Sequence, residues 1–165
     1  MINIILVKSS IISHLKADSD LATYLESKSV SHIRESPEGS GTKQDLSPVL
    51  EIREAQWQGR HFTYPNIRVK MGTQTSVTNG TCYLDNSLIT FQVIVTSELD
   101  SSYECDELMS YVLSALIGDD TGVKLSGSGF VTGYMLYDGV TPAIRDSNNF
   151  WTSLATFRTN LYKSN

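Results

Sequence analysis

The chain has 165 residues, 40% of them hydrophobic and 19% charged, with a formal net charge of −5. That length suffices for one domain with a real core, and the longest apolar run (residues 4–7, IILV) is far too short to span a bilayer. The acidic balance argues against general attraction to nucleic acid, and the start of the chain lacks the basic region, longer apolar stretch and cleavage site of a secretory leader, so a cytoplasmic origin is expected.

In chain order, Ile11, Ile12, Leu15, Leu21, Ala22 and Leu25 recur at helical spacing with an interruption at KADSD. This predicts a helix over residues 9–27, or one broken near Asp18 with Ser19 or Asp20 capping the second piece. Residues 36–48 are rich in Ser, Gly and Pro and read as a mobile loop inside a single domain spanning residues 1–165. Strands are predicted over residues 50–57 and 66–71; in the second, Ile67, Val69 and Met71 alternate with Arg68 and Lys70. Residues 72–86 are polar, and Asn79–Gly80 suits the turn of a long hairpin. The strand that follows puts Ile89, Phe91, Val93 and Val95 on one face. Leu88, Thr90, Gln92, Ile94 and Thr96 form a mixed second face, suited to partial wetting or to a partner.

A helix begins soon afterwards. Ser101-x-x-Glu104 has capping-box spacing, Cys105, Leu108, Met109, Val112 and Leu116 line one stripe, and Gly118 suits the position past the end. A mostly apolar strand is predicted over 130–137, a loop or irregular hairpin over 138–149, and a strand over 151–161 that turns Trp151, Ser153, Ala155, Phe157, Thr159 and Leu161 the same way. The order implies an α+β fold: a mostly antiparallel sheet with two main helices packed on one face.

The strand-to-helix junction, SELDSSYE, is where many α/β proteins hold a phosphate or a nucleophile. It contains no glycine for a phosphate loop and no G-x-S-x-G turn. Glu98, Asp100, Glu104 and Asp106 lack calcium-loop spacing and read as solvated capping residues rather than a cation site. Cys82 and Cys105 have no metal-ligand spacing, and His14, His32 and His61 are scattered. Gly127 and Gly129 precede a strand, whereas a dinucleotide fingerprint follows one. No catalytic, cofactor-binding or metal residues are assigned, and the chain is expected not to be an enzyme and to need no cofactor.

The order of IISHLKADSDLATYL, YPNIRVKM, ITFQVIVTSELDSSYECDELMSYVLSALIG and FWTSLATFRTNLYK resembles the tail terminator (tail completion) proteins of long-tailed bacteriophages, over roughly residues 9–163. The resemblance implies a structural virion protein at the tail–neck junction, assembled in the host cytoplasm. Such proteins form a ring, a hexamer, that caps the head-proximal end of the tail tube, halts tube polymerisation and joins the tail to the neck. The implied partners are copies of itself, the tail tube protein and a head–tail connector or neck protein, with no membrane and no sequence-specific nucleic acid. A head-completion or neck adaptor and a small ligand-binding or enzymatic α+β domain are the alternative readings. Arg68, Lys70, Arg145, Asp146 and Trp151 combine charge or aromatic area with strand or loop positions and are the candidate interface residues.

Overall fold

A computed structural model describes residues 3–29, 52–54, 65–76, 86–98, 102–118, 122–147 and 149–164. Among the described residues three helices, α1 (Ile4–Ala17), α2 (Ser19–Ser29) and α3 (Tyr103–Ile117), accompany seven strands. These are β1 (Ile52–Glu54), β2 (Asn66–Ser76), β3 (Asn86–Ser97), β4 (Ser126–Gly127), β5 (Phe130–Thr132), β6 (Leu136–Arg145) and β7 (Trp151–Lys163). The sheet order is β1-β2-β3-β7-β5-β4, with β6 also pairing to β7. Every pair is antiparallel except β1–β2. The fold is α+β, as the pattern of elements implies.

All three helices contribute to one core. Val7, Ile11 and Leu15 of α1, Leu21 and Leu25 of α2, and Leu108, Val112 and Leu116 of α3 are buried with Ile67, Val69, Phe91, Val93, Ala155 and Phe157 of the sheet. Phe91 and Phe157 lie opposite each other across β3 and β7, their rings stacked at 5.1 Å. His14 bridges two helices: its Nε2 lies 2.8 Å from the Ala115 carbonyl oxygen.

Several boundaries differ from expectation, each for a local reason. Of the two readings of residues 9–27 the broken helix holds, with the break at Asp18, but α1 starts earlier because the Asn3 side chain accepts the Ile5 N–H at 2.9 Å. Asp18 itself, rather than Ser19 or Asp20, caps α2 by accepting the Leu21 N–H at 2.8 Å. The strand expected over 130–137 is divided into β5 and β6. Between them Gly133 N–H still bonds the Asn160 carbonyl of β7 at 2.7 Å, but Met135 N–H turns to the Val123 carbonyl at 3.1 Å, which takes the chain off its ladder.

Of the loop or irregular hairpin expected over 138–149, the structure has the irregular hairpin, and most of the segment is strand. β6 continues to Arg145, and the turn is confined to the residues between Asp146 and Phe150. Gly139 and Pro142 hide this strand from a periodicity reading, and the register slips beside each of them. Gly118 ends α3 at φ 61°, as its position suggests. β2 and β3 pair antiparallel, as a hairpin requires. The loop at 36–48 and the Asn79–Gly80 turn lie outside the described residues.

Candidate functional site: an uncovered sheet face

The strand-to-helix junction holds one of its own carboxylates. Helix α3 is capped at Ser102 without a side-chain hydrogen bond, and Ser101 of the expected capping box lies outside the described residues. Glu104 is only 3% exposed rather than solvated, and the Ser97 hydroxyl, itself buried on β3, donates to its Oε2. Nearby, the Tyr24 hydroxyl donates to Glu107 at 2.9 Å. Burial, followed by the Glu107 hydrogen bond, pushes the Tyr24 phenol upward.

Burial likewise pushes the Cys105 thiol up to about 12, and its S–H points to the Val95 carbonyl at 3.7 Å. That thiol is far from nucleophilic. These groups tie helices to strands. Among the described residues no three of His, Cys, Asp and Glu gather as a metal site, and no helix is long and apolar enough to cross a membrane. A groove between α2 and α3, lined by Asp20, Thr23, Tyr24, Ser27 and Tyr111, presents only one carboxylate and polar or aromatic groups.

The surface that stands out is the side of the sheet away from the helices. On β3 the odd positions from Ser87 to Ser97 are buried, whereas Leu88, Thr90, Gln92 and Ile94 are half-exposed. Register carries this alternation onto β7. Leu88 pairs with Asn160, Thr90 with Arg158, Gln92 with Thr156 and Ile94 with Leu154. β3 has no charged residue along its length. The Arg158 guanidinium on β7 is paired with Asp138 at 3.0 Å. A sheet face left to water ordinarily carries a share of charge. Along β3 this one carries only Thr, Gln and branched aliphatics, with its charge confined to the flanking strands at Arg68, Lys70 and Arg158, a composition suited to the centre of a protein interface.

The apolar surface continues onto β6. Leu136, Tyr137, Val140 and Ile144 are 50%, 40%, 42% and 64% exposed. Leu136 and Ile144 pair with Arg158 and Thr152 and so share the uncovered face, while Tyr137 and Val140 pair with Phe157 and Ala155 and point to the helix side. Val131 and Tyr162, paired across β5 and β7, extend the uncovered face further. None of these was singled out from the sequence. For Val140 and Ile144 the available signal was a run without charge, residues 139–144, within the segment read as a loop or irregular hairpin.

The five expected interface residues fall in two places. Arg68 and Lys70 lie on β2 on the uncovered side, and Arg68 Nη2 donates to Thr96 Oγ1 at 3.1 Å. Thr96 is thereby buried, unlike its neighbours on that face. Arg53 stands beside Arg68 in the β1–β2 register. Arg145, Asp146 and Trp151 gather at the β6–β7 turn. The Arg145 guanidinium lies 6.0 Å from the Trp151 ring, and Asp146 Oδ1 accepts the Phe150 N–H at 2.9 Å. Trp151 is half-buried against the core, and Asp146 is engaged in shaping the turn. β3 and β7 separate the two groups by roughly 14 Å at ordinary strand spacing.

No protein-family model matches this sequence, and no curated protein matches it. Among solved structures the chain is similar to a chain of a structure described as the virion of a native gene transfer agent (GTA) particle. The match has a TM-score of 0.62 at 14% identity and covers 96% of each chain. At that identity the likeness establishes a shared fold.

Proposed function

We propose that this chain is a structural protein of a phage or phage-like virion, and within it a tail terminator. Its copies close into a ring, a hexamer, on the head-proximal end of the tail tube. The ring stops further tube subunits from adding and presents its other side to the neck. The observation that carries this reading is the uncovered sheet face, continuous with the exposed apolar side chains of β6 and without net charge along β3. A patch of that kind marks an assembly surface. Support comes from the fold likeness to a gene transfer agent virion chain, which extends over 96% of both chains. The order of sequence elements supports the terminator role within that class.

Size-exclusion chromatography with light scattering on the purified chain, followed by electron microscopy of mixtures with tail tubes, tests the proposal. The expected result is a ring of about six copies, seated at one end of each tube, and tubes that no longer lengthen. A chain that stays monomeric and never binds tubes overturns it. A ring that binds only the head side of the neck makes the chain a neck adaptor instead.

A further inference from the structure

We infer that two surfaces of this chain are the two halves of one copy-to-copy contact: the helix-side residues Tyr137 and Val140 of β6, and the uncovered face around Ile94 and Leu154. In each contact the β6 wing of one copy lies on the uncovered face of the next. The inference rests on the ring reading above and specifies the surfaces that build the ring.

Area comes first. Four neighbouring strands, β2, β3, β7 and β6, over residues 88–96 of β3 give a face of about 19 by 30 Å, or about 600 Å² before side-chain relief. A stable interface removes about 800 Å² from each partner. With side-chain relief counted, the face of one copy approaches that area. Charge comes second. Copies at −5 repel one another. Contact is least opposed where like negative charge is absent: β3 and residues 139–144 of β6 carry no charge, and the groups that flank β3 on the uncovered face, Arg68, Lys70 and Arg158, are cationic.

The mode of contact follows from β6 itself. Strand addition along its outer edge is blunted by Pro142 and by the two register slips. What β6 offers is side chains. Val140 pairs with Ala155 and Tyr137 with Phe157, so both point to the helix side, yet both remain 40% or more exposed. Ile94 and Leu154 pair with each other and point the opposite way. Two complementary patches facing in opposite directions make a head-to-tail contact, which repeats and closes into a ring when the rotation between copies permits.

The test uses two full-length variants, Val140→Glu and Leu154→Glu, each spoiling one half of the contact. Far-UV circular dichroism and melting establish that each is folded. If either is not, Tyr137→Glu replaces the first and Ile94→Glu the second. Each variant alone is expected to associate at least ~30-fold more weakly and to run as a monomer by light scattering. An equimolar mixture retains one intact wing and one intact face, so it is expected to form a one-to-one dimer that grows no further. A wild-type ring that survives both substitutions overturns this contact and leaves the ring reading standing. Folded variants whose mixture stays monomeric also overturn it. A wild type that never assembles overturns both.

Discussion

Strand β3 presents two surfaces that differ in everything but backbone. Ile89, Phe91, Val93 and Val95 lie under the helices and are wholly buried. Leu88, Thr90, Gln92 and Ile94, one residue out of step, face away from the helices and are half-exposed. The covered side is shaped by packing: branched aliphatics and stacked phenylalanines that fill space between two layers. The other side is amphipathic without charge, so it neither needs a covering layer to fold nor resists one. One strand can thus stabilise the monomer with one face and leave the other for assembly.

Substitutions on the two sides should separate sharply. Phe157→Ala strikes the covered side, opening a cavity against Phe91, and is expected to lower unfolding free energy by about 3–5 kcal/mol in chemical denaturation. A loss under ~1 kcal/mol would mean that this face is not the core. Alkaline titration probes the same side. The Cys105 thiol is raised from 9.0 to about 12 in the fold, so it stays neutral there while the unfolded chain ionises. Its contribution is complete below about pH 9 and is lost as pH rises through about 12, and the raised Tyr24 phenol acts in the same sense. Melting temperature should fall across that window, and Cys105→Ala should flatten the fall; an unchanged slope would count against a sealed thiol.

Ser97→Ala removes the hydroxyl that donates to buried Glu104 and should cost about 1–3 kcal/mol. A change near zero would show that the carboxylate finds other partners. Smallest of all, Thr156→Lys on the uncovered side should alter monomer stability by no more than ~0.5 kcal/mol, measured at dilutions where copies are apart. A cost comparable with that of Phe157→Ala would erase the distinction between the faces.

Much of the covered side was legible in the sequence because burial imposes a period. Ile67 and Val69, the odd positions of β3, and the Cys105–Leu108–Met109–Val112–Leu116 stripe all occupy the faces their spacing predicts. So does the row Ser153, Ala155, Phe157, Thr159 and Leu161, in which two hydroxyl residues take buried places that only their period could suggest. The candidate surface was harder to read. Arg68 and Lys70 do lie on the uncovered side, but Trp151 is half-buried and Asp146 serves the turn, because charge and aromaticity alone do not say what a side chain already holds. The β6 residues were missed because both of its faces are exposed, which leaves a strand no alternation to betray it.

Sequence alone settled the class of fold, the faces of β3 and β7 and the stripe of α3, and offered the break near Asp18 as one of two readings, since each depends on residues a few positions apart. Tertiary structure decided that Glu104 turns inward to Ser97, that β6 joins β7 beyond the break at residues 133–135, and that no described helix covers the second side of the sheet. Those outcomes depend on which distant segments meet, and local period and composition carry no record of that.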